Sequence, residues 1–166
     1  MKNLILGLIL IGLTTQIHAQ DPVKLPEIVI VHNYKYLSSV GSEGVAIPVE
    51  QLQFKASDFN VEELDIYSDE YDYYDVYFVI PQGKILASYD KDGNLLRTIE
   101  RYQDIRLPTP VSKAIVKRFP NWSITKNIYQ VNYHDSGKKV TKLYKVTLEN
   151  GKKRIKVKVD DLGNFK

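Results

Sequence analysis

Three histidines, no cysteine and 20 carboxylates are the raw material for chemistry in this chain of 166 residues. His134-Asp135-Ser136 brings together the residue types of a base, an orienting acid and a nucleophile. Contiguity works against that reading. Three neighbours in one turn are expected to point their side chains apart, and a polar turn into Gly137 is the simpler expectation. His18, His32 and His134 are too dispersed for zinc, which takes clustered Cys and His ligands. Asp90-Lys91-Asp92-Gly93-Asn94 opens like a calcium loop, but Arg101 stands where the bidentate Glu would be needed. Asp160-Asp161-Leu162-Gly163-Asn164 repeats the pattern, so hairpin turns are expected at both places. Asn121-Trp122-Ser123 fits a glycosylation sequon but follows a helix stop, and Trp122 reads as structural. No catalytic residue, metal or cofactor emerges from these groups.

The stretch Tyr67 to Phe78, YSDEYDYYDVYF, holds five tyrosines, four carboxylates and no basic residue. Its acids could form a metal cup or an acidic docking tract. Alternation of Tyr74, Val76 and Phe78 instead reads as the core face of a β-strand, with Ser68–Asp72 as the acidic turn leading into it. Tyr73, Asp75 and Tyr77 are then left on the opposite face.

These residues must be positioned by elements whose signals are legible along the chain. Lys2, an apolar run over Leu4–Leu13 and Ile17-His18-Ala19 resemble a secretory signal peptide, with cleavage expected after Ala19. The apolar run is too short to cross a membrane, which takes roughly 20 residues. The absence of cysteine excludes disulfides and an acylated cysteine at the cleavage point. Net charge divides unevenly. Gln20–Pro110 carries 8 basic and 16 acidic residues, whereas Val111–Lys166 carries 14 basic and 4 acidic. Such polarity implies either attraction between the halves or two partner surfaces.

An offset of 70 residues aligns the two halves. Tyr74, Val76 and Phe78 fall on Tyr144, Val146 and Leu148. Ile85, Ala87 and Tyr89 fall on Ile155, Val157 and Val159, and the two Asp-x-x-Gly-Asn turns coincide. A tandem repeat follows. In the second unit Thr109 is expected as an N-cap and Pro110 as the first helical residue, with Val111, Ala114, Ile115 and Phe119 on one face and Pro120 as the stop. Strands are expected at Ser123–Tyr133, Thr141–Glu149 and Lys153–Val159, with a short last strand after Gly163. The first unit is expected as a helix over Pro48–Phe59 and strands near Glu62–Tyr67, Asp72–Ile80, Lys84–Tyr89 and Asn94–Tyr102. An extra strand is expected at Glu27–Leu37. The expected fold class is therefore α+β: two tandem units, each a short helix followed by a four-stranded antiparallel sheet. The expected organisation is a signal peptide over 1–19, an extended segment over 20–44, a divergent first unit over 45–106 and a second unit over 107–166.

Pro110-Val111, Ala114-Ile115, Phe119-Pro120-Asn121-Trp122, Ile124, Tyr144-Lys145-Val146, Gly151, Asp160 and Gly163-Asn164 carry a resemblance. The second unit resembles the PepSY-like, β-lactamase-inhibitor-like family of small exported periplasmic proteins, and the first unit does so loosely. The resemblance implies a helix packed on an antiparallel sheet, often in tandem, and no catalytic residues. Relatives bearing a nicotinate-nucleotide adenylyltransferase label would need a His-x-Gly-His phosphate cradle, which this sequence lacks.

Strand alternation leaves two outer rows. In the first unit Tyr73, Asp75, Tyr77, Val79 and Leu86 make an aromatic, apolar and acidic face. In the second, Arg154, Lys156 and Lys158, beside Lys145, Thr147 and Glu149, make a basic one. A solvated outer face is seldom so rich in Tyr and aliphatics. The expectation is an exported, non-enzymatic binding protein of the periplasm or envelope. Its partner would be an envelope or periplasmic protein or peptide held on the Tyr-rich face, a hydrolase among the options. The alternative is a small-ligand or anionic-glycan binder using the basic face or a cleft between units. Nucleic acid is not expected, because no aromatic residues interleave with the basic row and export separates the two. No transmembrane segment is expected after the signal peptide.

Overall fold

The computed structural model describes residues 33–41, 44–68, 70–137 and 140–166. The expected signal peptide lies outside them, as does the expected strand up to residue 32. Among the described residues there are three α-helices and six strands. Helix α1 spans Tyr34–Val40 and α2 spans Ile47–Ser57, followed by a 3-10 turn at Val61–Glu63. Strands β1 (Tyr73–Ile80), β2 (Gly83–Asp90) and β3 (Leu95–Gln103) precede α3 (Thr109–Arg118). Strands β4 (Ser123–His134), β5 (Thr141–Asn150) and β6 (Lys153–Asp160) complete the chain. The six strands form one antiparallel sheet in sequence order. The fold is therefore α+β, with sheet predominant.

The expected pair of four-stranded sheets is replaced by one shared sheet, for two local reasons. Residues near Glu62–Tyr67, expected as a strand, curl instead. Asn60 Oδ1 accepts the Glu62 amide at 3.0 Å, and the Tyr67 ring stacks on Tyr74 at 5.7 Å. At the other end, the short strand expected after Gly163 is a lone bridge from Phe165 to Val159. With no strand before β1 among the described residues, the first half contributes three strands there, and β3 pairs with β4 from Arg97–His134 to Gln103–Ile128. Tyr34–Leu37, expected as the end of a strand, belongs to α1. Thr109 is the first helical residue of α3 rather than its cap; Pro108 precedes it without a side-chain capping bond.

The offset of 70 residues is visible in the hairpins. Asp90 Oδ1 accepts from the amides of Asp92 and Asn94, and Oδ2 accepts from Asn94 Nδ2. Asp160 does the same with Leu162 and Asn164. Gly93 and Gly163 both take positive φ, at 78° and 92°, which side-chain-bearing residues rarely adopt. The Asp90 carboxylate is thus spent on its own turn, which is why the loop resembles a calcium site in sequence.

Burial opposes the charge of Asp160, but the Lys166 ammonium at 2.9 Å and the Asn164 donors outweigh it and hold the carboxyl at about 2. The folded value lies below the ordinary 3.8. Its stabilisation is therefore complete above that value and is lost as pH falls through it towards 2. Asp160→Asn is expected to flatten the acid limb of the stability curve in that window, read from urea melts at stepped pH. An unchanged acid limb would refute the ion pair.

The three helices pack on one face of the sheet, where Tyr74, Ile85, Ala87, Tyr89, Tyr102, Tyr129, Tyr144 and Leu148 join Val49, Leu52, Val111 and Ile115 in a common core. Seven of the 12 tyrosines are buried there. Three of them lie in register across the seam between the halves: Tyr102 faces Tyr129, and Tyr129 faces Tyr144. Their rings stack, at 6.1 Å and 4.3 Å between centroids. Above this seam sits Glu100, 1% exposed. Its Oε1 accepts from Tyr36 Oη at 2.8 Å and Thr98 Oγ1 at 2.9 Å. Its Oε2 accepts from Gln53 Nε2 at 2.8 Å and Tyr102 Oη at 2.9 Å. One carboxylate thereby joins α1, α2 and β3.

Candidate functional site

The opposite face of the sheet is covered by none of the described helices. The strand registers lay it out in rows. Tyr77, Leu86, Ile99 and Asn132 are consecutive neighbours across β1 to β4. Val79, Lys84, Arg101 and Gln130 form the next row. Further towards β6, Lys145 neighbours Lys158, and Lys126, Thr147 and Lys156 form a row across β4 to β6. The aromatic face of the first half and the basic face of the second are therefore two ends of one surface.

Tyr73, Tyr77 and Val79 are 68%, 61% and 69% exposed. Leu86 is half-buried between them and Ile99, which is itself 53% exposed and extends the patch onto β3. Ile99 carries little signal in the sequence, because the outward row of β3 to which it belongs is otherwise charged, with Arg97 and Arg101 on either side. Asp75 is exposed but engaged: its carboxylate accepts the Ser88 hydroxyl, whose oxygen in turn accepts Arg97 Nε at 2.9 Å. It serves the surface as part of a local network. Lys84 lies over the Tyr77 ring at 5.8 Å, covering one side of it.

At the basic end, Lys156 and Lys158 are exposed on β6, and Arg154 is held by Glu149 through two contacts of 2.6 Å. Among the described residues Lys126, Lys145, Lys156 and Lys158 have no ion-pair partner. The seam expected to leave a cleft between units is a paired strand along β3 and β4. Past Gln103 a concavity of about 680 Å³ is lined by Asp104, Lys126, Lys145, Glu149 and Lys156, among others, and at the other end of the seam one of about 560 Å³ is lined by Tyr73, Arg97, His134 and Ser136, among others.

The turn His134-Asp135-Ser136 differs from expectation in one respect. Ser136 Oγ lies 2.9 Å from His134 Nδ1, so these two side chains meet. Asp135 does not complete a triad. Its carboxylate is bound by the Lys35 ammonium, whose hydrogen bond holds it below the ordinary carboxylate range, and by the Tyr133 hydroxyl at 3.3 Å. The Ser136 amide also donates to His134 Nδ1, at 3.3 Å, as in a local turn. Among the described residues no three His, Asp or Glu side chains converge as a metal site would require. No helix among them is long and apolar enough to cross a membrane. Comparison of the chain with protein-family models and with curated proteins finds no match.

Proposed function

We propose that this chain is an exported, non-enzymatic binding protein whose open sheet face takes an envelope or periplasmic protein or peptide. The observation that carries the reading is the exposure of Tyr73, Tyr77, Val79 and Ile99 side by side on that face. Tyrosine offers large, stiff contact area at low entropic cost. The patch begins on β1, which among the described residues has one strand neighbour, and runs across β2 to Ile99 on β3. An edge strand adds a row of backbone donors and acceptors to whatever the side chains contact. Export rests on the leader-like N-terminus. A PepSY-like origin is supported by the order of α3, β4, β5 and β6, and by Phe119 closing the helix against Phe165 at 5.8 Å. Restraint of a hydrolase is one form such binding would take.

Tyr73→Ala combined with Tyr77→Ala tests it. Both side chains are exposed, so stability is expected to move by no more than about 0.5 kcal/mol per site. Cross-linking in intact cells should give a discrete adduct with the native chain and none with the double variant. An adduct of undiminished yield, or a variant that unfolds, would refute the reading.

A further inference from the structure

We infer that the concavity at the Gln103 end of the open face is a binding site for an anionic saccharide, a ligand in which carboxylate or phosphate groups alternate with hydroxyls. It is separate from the Tyr73–Tyr77 patch and does not depend on a protein partner there. Its volume of about 680 Å³ lies within the range of small-molecule sites, roughly 300–1,000 Å³.

The shape has a local cause. Strand β4 carries a bulge between Ile124 and Lys126, so Thr125 has no cross-strand partner in the ladder. A bulge bends its strand and re-aims the side chains beside it. Across the opening, Asp104 adopts positive φ, 50°, a conformation that Asp tolerates better than most residues. It is pinned there: its amide donates to Asn127 O at 2.9 Å, and its Oδ1 accepts the Asn127 amide at 3.0 Å. The backbone thus holds one acidic group in place at the rim.

The chemistry of the lining selects the ligand. Lys126, Lys145 and Lys156 supply positive charge that no described carboxylate neutralises. Lys126 and Lys156 stand two strands apart with Thr147 between them, a gap of about 10 Å at ordinary strand spacing. A single phosphate would have to draw the two flexible side chains together, whereas a ligand with separated anionic groups meets both as they stand. Gln103, Asp104 and Glu149 are acceptors set among these cations. They repel a continuous phosphodiester backbone and match sugar hydroxyls, which donate. No aromatic residue lines the concavity, so bases would find no stacking platform.

The full chain should be titrated calorimetrically at about 0.15 M salt, where loose surface attraction is screened. The probes are hexagalacturonate, monomeric galacturonate, neutral maltohexaose and hexametaphosphate. Hexagalacturonate is expected to bind and maltohexaose to fail. Lys126→Glu with Lys156→Glu should weaken binding roughly tenfold or more, without change in melting temperature, because both residues are exposed. Glu149→Ala made in an Arg154→Ala background is the discriminating variant, because Glu149 otherwise pairs with Arg154 and its loss alone would release that cation. If Glu149 accepts sugar hydroxyls, binding weakens; if the site is a bare cation patch, removing an acid tightens it and the saccharide assignment fails. Equal or tighter binding of hexametaphosphate also overturns the assignment, as does no binding of either galacturonate probe. A monomer that binds as tightly as the hexamer also overturns it, because one carboxylate gains nothing from cations set two strands apart. Binding of the hexamer alone supports it with a polysaccharide as source.

Discussion

Glu100→Ala is expected to lower the melting temperature by about 10–20 °C, from a stability loss on the order of 3–5 kcal/mol. The carboxylate accepts four hydrogen bonds, from Tyr36, Gln53, Thr98 and Tyr102, in a site closed to solvent. Truncation leaves those donors buried without their acceptor, and each orphaned group costs about 1–3 kcal/mol where nothing replaces it. It also removes the shared contact of α1, α2 and β3. Glu100→Gln is expected to cost less. The partners on Oε1 are both hydroxyls, from Tyr36 and Thr98, and these can turn to accept from an amide NH2. Burial raises the Glu100 carboxyl above its ordinary value, although all four hydrogen bonds oppose the shift. The folded state therefore holds this proton more tightly than the unfolded one. The stability linked to it is complete below the ordinary value of 4.5 and declines as pH rises through the higher folded value. Glu100→Gln should abolish that decline. Thermal and urea melts of the three proteins across pH would decide it. An alanine variant melting within a few degrees of the native chain would show that the network holds nothing together.

Gly83→Ala is expected to cost about 2–4 kcal/mol, an unusually large penalty for adding one methyl group. A Cβ at position 83 would lie only 2.4 Å from Arg101 O and 2.6 Å from Tyr102 Cδ1. The obstacle is strand backbone and a ring clamped by neighbours, so it cannot yield as a free side chain would. Gly83 stands directly opposite Tyr102, whose hydroxyl serves Glu100 and whose ring begins the stack across the seam. The defect should therefore spread. Near-ultraviolet circular dichroism should lose the tyrosine signal of the packed row, and amide exchange should quicken in β3 and β4 rather than in the β1–β2 turn alone. A variant with native stability and exchange would mean that β2 and β3 can separate locally at no cost.

Both effects centre on β3, the strand that joins the halves, and the open face depends on that join. Had the halves formed separate sheets, Tyr77 and Lys156 would stand on unrelated surfaces. Pairing of β3 with β4 places the aromatic patch and the unneutralised lysines on one plane. A partner carrying both apolar and acidic groups would meet complementary chemistry across it. The charge asymmetry of the sequence thereby acquires a spatial form.

Much of this was legible in the order of residues. Alternation in Tyr74–Ile80 and Tyr144–Leu148, with Asn150-Gly151 as a turn, determined the hairpins and which side chains face inward. Two Asp-x-x-Gly-Asn turns at equal spacing determined matching hydrogen-bond patterns, because each depends on residues within five positions. Tyr73, Tyr77 and Val79 could be assigned outward on the same ground. Glu100 and Gly83 carried no signal, since their roles depend on groups brought to them from Tyr36, Gln53 and Tyr102. Ser136 meeting His134 shows the converse: local proximity did bring two side chains together, while Asp135 was drawn away by Lys35, 100 residues distant in sequence.

The sequence by itself determined periodicity, turns and the inward or outward sense of each hairpin residue, because these are properties of contiguous backbone. Tertiary structure alone decided that β3 would accept β4 and that two faces would become one. Each of those outcomes is a competition between distant pairings. The winner is set by which strand edge remains free and by what is buried when it closes, and neither is written in local alternation.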